Sequence, residues 1–202
     1  MEFTDLYSIA ESLVQSRSAA SQRPLIMVSE LVSPIVKNTS WLRCVNFYPI
    51  SDCEDDGDPL GMFKCYAGQD AMYETENAWM AAVYQNSEII GNNLCWQRFV
   101  RCKELMHIFD ENVAYVDSTE AYTDLLEEIV TKPVGVPTKK IISENLAQWM
   151  ALLILCPKSE RDKTISDPAD DYGIALRYRI PTFYVDAIRS EHYETAHKML
   201  VK

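Results

Sequence analysis

Residues 98–107 read Arg-Phe-Val-Arg-Cys-Lys-Glu-Leu-Met-His, and they carry most of what this chain discloses about its chemistry. They lie within the segment 93–110, in which apolar residues recur at helical spacing, and this pattern predicts an α-helix. The apolar residues are Trp96, Phe99, Leu105, Met106 and Phe109. Because residues three and four positions apart share one face of a helix, Glu104 and His107 are predicted to lie close together.

The order Lys103-Glu104-x-x-His107 departs at one position from the His-Glu-x-x-His pattern of zinc peptidases. In that pattern two histidines hold one zinc ion, and the glutamate reaches the metal-bound water as general base. Here a lysine occupies the place of the first histidine. A protonated lysine has three donors and no lone pair, so it repels zinc rather than binding it. Ligation by Lys103 would require its pKa to fall several units below the reference value of about 10.4.

A second informative segment places Glu144 near the start of a long apolar stretch, 138–156, that Pro157 stops. The stretch is predicted to be a helix with a carboxylate near its beginning. Ala147 and Ala151 follow Glu144 at intervals of three and seven residues.

Together the two segments resemble the ImmA/IrrE family of zinc metallopeptidases. Five residues match the family's Arg-Phe pair and its His-Glu-Leu-x-His motif: Arg98, Phe99, Glu104, Leu105 and His107. Four others match the helix that carries the family's third zinc ligand: Glu144, Ala147, Ala151 and Pro157. The stretch 175–189 is similar to the family's closing pair of helices. The resemblance covers residues 78–189, whereas residues 1–77, predicted to form an N-terminal helix and strands, are unmatched.

The resemblance implies a site in which Lys103, His107 and Glu144 take the ligand positions and Glu104 takes the place of the base. One hypothesis is that the Lys103 ammonium replaces the charge of the metal and pairs with Glu144 or Glu104. The alternative is that Lys103 turns to solvent. A zinc site is also conceivable without Lys103, since Asp110 lies three residues beyond His107 and could complete a set with His107 and Glu144.

The favoured function is that of a catalytically degenerate family member that regulates a mobile-element, phage or stress system by binding a protein partner. By resemblance the partner is a repressor or a toxin–antitoxin component, and no cofactor is expected. The alternative is an active zinc metalloendopeptidase that uses His107, Glu144 and possibly Asp110 as ligands, with Glu104 as general base. A purely structural or inhibitory protein that makes no use of the cleft is a third possibility.

The chain as a whole is predicted to be one α+β domain, 1–202, with a zincin-like arrangement. A small antiparallel or mixed sheet is expected to pack on a helical half that carries the Lys-Glu-x-x-His helix. The predicted strands are 41–50, 60–66, 71–76 and 78–85. The predicted helices are 3–15, 28–36, 93–110, 117–131, 138–156 and one on either side of Ile180-Pro181, and a polar loop is expected between Pro157 and Ser166.

Composition narrows the remaining possibilities. The 202 residues carry a formal net charge of −11, which disfavours nucleic-acid binding. The longest apolar run, 149–156, is far short of the ~20 residues of a membrane-spanning helix. Six cysteines without a Cys-x-x-Cys pair, together with an acidic N-terminus, favour a reducing, cytoplasmic location. The acidic loop 52–58 is predicted to be a solvated turn, since Phe63 stands where a calcium loop needs its bidentate glutamate.

Overall fold

Three strands form a small mixed sheet in the order β1-β3-β2. The strands are β1 (Leu42–Ile50), β2 (Gly61–Gly68) and β3 (Ala78–Asn86). β1 runs parallel to the central strand β3, and β2 runs antiparallel to it. The interior of β3 supplies Ala81, Ala82 and Val83, all fully buried, which is typical of a central strand. The predicted α+β class with a mixed sheet is confirmed.

The computed structural model describes residues 1–19, 25–50, 59–68, 78–110, 123, 137–166 and 169–201. The helices within these ranges are α1 (Phe3–Ala19), α2 (Val28–Asn38), α3 (Ser87–Ile90), α4 (Leu94–Met106), α5 (Lys139–Leu155), α6 (Lys158–Ile165), α7 (Asp171–Tyr178), α8 (Val185–Arg189) and α9 (Glu191–Leu200). Short 3-10 turns cover His107–Phe109 and Thr182–Tyr184. The predicted strand 71–76, the acidic loop 52–58 and the predicted helix 117–131, apart from Thr123, lie outside the described residues.

Helix α4 lies beneath the sheet, where it contacts β2 and β3 and crosses α5. The buried residues of α4 include Phe99, Val100, Leu105 and Met106. Helix α5 is surrounded by α1, α4 and α9, and for this reason the run 150–155 is buried on every side. The predicted packing of the sheet on the helix that carries Lys103, Glu104 and His107 is confirmed.

The prediction of a polar loop between Pro157 and Ser166 is wrong, because residues 158–165 form helix α6. Three of the polar side chains that suggested a loop are buried, namely Glu160, Arg161 and Thr164. Arg161 donates to the carbonyl of Ile188 and pairs with Glu194, and Tyr178 donates to the buried carboxylate of Glu160. Beyond Pro181 the chain forms two helices instead of one. The Ser190 side chain accepts a hydrogen bond from the His192 N–H and so caps the start of α9. In the described part of the chain, no helix is both long and apolar enough to cross a membrane.

Gly61, at the start of β2, allows the strand to approach α4 closely. A β-carbon placed there would lie 2.5 Å from Val100 Cγ1 and 2.9 Å from Glu104 Cγ. Both contacts are shorter than any normal separation of carbon atoms, so a side chain at this position would force the strand and the helix apart. The absence of a side chain thus sets the distance between the sheet and the helix that carries Lys103 and Glu104.

We expect Gly61→Ala to lower the free energy of unfolding by about 1–3 kcal/mol, the usual cost of overpacking. Gly173→Ala is the matched control, since its β-carbon would meet only the Asp170 side chain at 3.1 Å and Ala169 at 3.5 Å. The control should change stability by less than about 1 kcal/mol, because alanine is the better helix former. Urea denaturation of the two variants measures both values, and equal effects would contradict the close approach at Gly61.

Candidate functional site

A cavity of about 180 Å³ opens between the start of β2, helix α4 and helix α5. Its lining combines an aromatic wall with a charged floor. The lining residues are Pro59, Leu60, Gly61, Trp96, Phe99, Val100, Lys103, Glu104, Glu144, Gln148 and Tyr184. The cavity therefore contains three of the residues that the sequence pointed to, and His107 lies directly behind them.

Two capped helices position these side chains. The Asn93 side chain accepts hydrogen bonds from the first backbone N–H groups of α4, and Thr138 does the same for α5. Lys103 and Glu104 lie in the last turn of α4, and His107 begins the 3-10 turn that follows it. Glu144 lies in the second turn of α5, which crosses α4. The crossing brings together residues that are about 40 positions apart in the chain.

The Lys103 ammonium lies between two carboxylates. Its Nζ is 2.9 Å from Glu104 Oε1 and also forms an ion pair with Glu144 Oε2. The Lys103 side chain is only 17% exposed. Burial by itself would lower the pKa of Lys103, but the two carboxylates outweigh it and raise the pKa above its ordinary value. Lys103 is therefore a cation at neutral pH, and it faces into the site instead of turning to solvent.

His107 extends the charged cluster on one side of its ring. Its Nε2 lies 3.5 Å from Glu144 Oε1 and 3.7 Å from Glu104 Oε2. Burial lowers the pKa of His107, whereas hydrogen bonds to Asp110 and Glu144 raise it, and the net shift is upward. For Glu144, burial acts to raise the pKa, but His107 and Lys103 together lower it to about 2.

Ser143 and Asp110 lie on the other side of the His107 ring. The Asp110 carboxylate is 4.0 Å from Nδ1, and the Ser143 hydroxyl is 3.5 Å from the same nitrogen. Ser143 donates a hydrogen bond to Asp110 and is itself buried. Sequence reasoning missed Ser143, since a serine next to Glu144 has no distinguishing pattern of its own.

The residues present do not fit a zinc ion. The ammonium of Lys103 contacts both carboxylates that a metal would need, and it carries no lone pair. Asp110 does not supply the missing ligand, because it faces Nδ1 of His107 whereas Glu144 faces Nε2. The two nitrogens of the His107 ring point in divergent directions. One metal ion bound to His107 therefore cannot also contact both Asp110 and Glu144. Among the described residues, no group of three His, Cys, Asp or Glu side chains is arranged to hold a metal ion.

The aromatic wall of the cavity consists of three rings in mutual contact. The rings of Phe99 and Tyr184 stack with centroids 4.3 Å apart, and Trp96 packs edge-on against both. Trp96 packs against the hydrophobic core and also lines the cavity. Gln148 adds an amide that can donate and accept hydrogen bonds. The cavity thus offers an apolar surface beside a polar group and a fixed pattern of charge.

We expect Lys103→Met to lower the free energy of unfolding by about 3–5 kcal/mol, because it leaves the buried carboxylate of Glu104 and the partly buried carboxylate of Glu144 without a counter-charge. Adding Glu144→Gln to this variant should recover much of the loss, since it removes one of the two opposed charges. Lys158→Met is the control. It breaks ion pairs of a lysine that is 37% exposed and should cost only about 0–1 kcal/mol. A loss of less than about 1 kcal/mol for Lys103→Met would show that the ammonium does not stabilise the site.

Comparison with known proteins assigns neither a family nor a function to this site. A scan of protein-family models, a search of curated proteins and a search of solved structures each found no match to this chain. The resemblance to the ImmA/IrrE family therefore stays a prediction from the sequence. Any statement about function rests on the contacts within the Lys103 site and on the cavity in front of it.

Proposed function

We propose that this chain has a metallopeptidase-like fold in which a lysine ammonium replaces the metal ion, and that it binds a protein partner without hydrolysing it. The observation that carries the proposal is the position of Lys103, which faces Glu104, Glu144 and the His107 side of the cavity. These are the positions that the resemblance assigns to the base and the two remaining zinc ligands. We also propose the zincin-like arrangement for this chain, because it follows from the same resemblance.

The charge pattern at the site supports the loss of hydrolysis. In the metallopeptidase pattern the glutamate must accept a proton from an attacking water. Here the Glu104 carboxylate is held by the Lys103 ammonium at 2.9 Å and is only 3% exposed. The Lys103 ammonium thus occupies an oxygen of the carboxylate that an attacking water would have to contact.

The shape of the cavity supports the binding of an extended peptide. Among the described strands, β2 pairs on one side only, so its other edge carries backbone groups that a peptide can join. The cavity begins at Pro59, Leu60 and Gly61, where this strand starts. A peptide laid along β2 would place a side chain against Trp96 and Tyr184, next to the amide of Gln148.

The biological setting of the proposal comes from the resemblance alone. Members of the ImmA/IrrE family act on repressors or toxin–antitoxin components of mobile elements, phages and stress systems. We propose that this chain is a cytoplasmic regulator of that kind, whose partner is a protein and not a nucleic acid. The net charge of −11 supports this choice, since it repels a phosphate backbone at long range.

Lys103→His tests whether the site has the geometry of a zinc centre. The variant should bind about one zinc ion per chain, because it supplies the third neutral or anionic ligand that a zinc site needs. Lys103→Gln is the control, since it removes the same charge and offers no imidazole. Elemental analysis and a zinc titration by calorimetry measure the outcome. If the histidine variant binds no more zinc than the glutamine variant, residues 103, 107 and 144 do not form a former metal site.

Selection of linear peptides from a displayed library tests the binding function directly. The wild-type chain should enrich extended sequences with an apolar residue, and Trp96→Ala and Gln148→Ala should weaken their binding by about tenfold, as expected when one strong contact is lost. Tyr172→Ala, which alters a side chain that is 64% exposed on α7, is the control. Enrichment that is unaffected by both cavity variants would place the binding surface elsewhere.

The same peptides distinguish binding from the alternative of an active zinc metallopeptidase. Incubation with wild-type protein and zinc, followed by mass spectrometry, should show intact peptides. Glu104→Gln should retain binding, because the proposed function does not use this residue as a base. Cleavage by the wild-type protein that disappears in Glu104→Gln would instead establish the enzymatic alternative.

A further inference from the structure

A second cavity, of about 260 Å³, lies on the opposite face of α4 and is lined by three arginines. At about 100° per residue, Arg101 and Lys103 project from α4 about 160° apart, so the two cavities do not share a wall. The lining comes from the start of α2, from β1, from α4 and from the end of α7. The residues are Met27, Val28, Ser29, Phe47, Leu94, Gln97, Arg98, Arg101 and Arg179.

This pocket is positively charged, whereas the whole chain carries a net negative charge. The protein carries 30 acidic and 19 basic residues, yet none of the described residues that line the pocket is acidic. Within the described ranges, Arg98, Arg101 and Arg179 form no ion pair with a carboxylate. Three cations without a counter-charge around one cavity create a local positive potential that favours an anion.

Arg98 is fixed in place by backbone carbonyls. It is 9% exposed, and its guanidinium donates to Ile26 O at 2.7 and 3.1 Å and to Tyr178 O. Burial lowers the pKa of Arg98 to about 10, which leaves it charged at neutral pH. These carbonyls satisfy the donors of Arg98 but do not neutralise its charge. An anion in the pocket would complete that neutralisation.

Arg179 occupies a backbone position at which glycine is preferred. It follows the last residue of α7 with φ 46° and ψ 54°, in the left-handed region, and its N–H closes the helix on Ala175 O. Within the described residues it is the only non-glycine residue with positive φ. Glycine adopts this conformation without steric cost. The strained position is thus filled by a residue whose side chain lines the pocket.

The rest of the lining is apolar. Met27, Val28, Phe47 and Leu94 contribute hydrocarbon surface, and Met27 and Leu94 are about half exposed, at 51% and 57%. A small inorganic anion would leave this surface in contact with water. An anion attached to an apolar group would cover the hydrocarbon surface and meet the arginines at the same time. The geometry of guanidinium groups suits a planar carboxylate.

We propose that this pocket binds a carboxylate attached to an apolar group, with Arg101 and Arg179 contacting the carboxylate and Met27, Phe47 and Leu94 contacting the apolar part. Arg98 is a positioning residue that holds α2 and α7 around the pocket and adds its charge. The ligand is either a small apolar acid or the C-terminal carboxylate of a peptide. This site is independent of the proposed function, since it shares no residue with the Lys103 cavity.

The test is a nuclear magnetic resonance titration of the full chain with phenylacetate. We expect saturable shifts at the backbone amides of residues that line the pocket, and no such shifts with phenylacetamide, the neutral analogue. Inorganic phosphate should bind more weakly than phenylacetate. Equal binding of phenylacetamide, or binding of phosphate that is at least as tight, would overturn the proposal.

Arg101→Gln combined with Arg179→Gln should weaken phenylacetate binding by about tenfold or more, the effect of losing charge-assisted hydrogen bonds. Lys37→Gln combined with Lys198→Gln removes the same charge from exposed positions outside the pocket and should leave binding unchanged. Equal losses in the two double variants would show that only net charge matters, which contradicts a built site.

Arg179→Gly separates binding from folding. Because glycine suits the left-handed conformation, the thermal midpoint of this variant should equal or exceed that of the wild type while phenylacetate binding falls. Undiminished binding in Arg179→Gly would overturn the role of this side chain. A final comparison uses N-acetyl-Gly-Gly-Phe with a free carboxylate and with a C-terminal amide. Tighter binding of the free-acid peptide than of phenylacetate identifies a peptide terminus as the ligand, and weaker binding identifies a small acid.

Discussion

The Lys103 ammonium, held between the carboxylates of Glu104 and Glu144, is the interaction on which the site depends. The carboxylates of Glu104 and Glu144, one buried and one partly buried, would repel each other where α4 meets α5, and a cation between them offsets this repulsion. The cation does not have to be a metal ion. An ammonium supplies one positive charge and directional donors. Because it belongs to the chain, it does not have to bind from solution as a metal ion does. The helices are therefore joined through ion pairs of a side chain of the chain itself.

The same interaction limits what the site can do. Buried ion pairs add little net stability, but removing one partner is costly, and so they favour one arrangement of the surrounding residues. Glu104 and Glu144 both contact the Lys103 ammonium while they line the cavity. His107 is held on both sides, by Glu144 at one ring nitrogen and by Asp110 and Ser143 at the other. Four side chains thus hold one another in a single charged cluster, namely Lys103, Glu104, His107 and Glu144.

Much of the fold was predictable from the sequence, because α4 and α5 have clear caps and clear apolar periodicity. The contact between Lys103 and Glu144 was predictable only through the resemblance, since no local pattern relates residues on separate helices. Helix α6 was missed because Glu160 and Arg161 are buried against partners on α7, α8 and α9, and propensity does not register such partners. Nothing in the sequence indicated Ser143 or Gly61, whose roles arise from the approach of one element to another.

Helix α4 lines both cavities and contributes a different set of charges to each. The face that carries Lys103 and Glu104 buries its charges in mutual contact, whereas the face that carries Arg98 and Arg101 presents positive charge without an acidic partner among the described residues. Arg98 also ties the approach to α2 and the end of α7 to α4 through the carbonyls of Ile26 and Tyr178. The orientation of α4 is consequently fixed from both sides, by the ion pairs to α5 and by the Arg98 hydrogen bonds. A helix held in this way separates two cavities that share no lining residue.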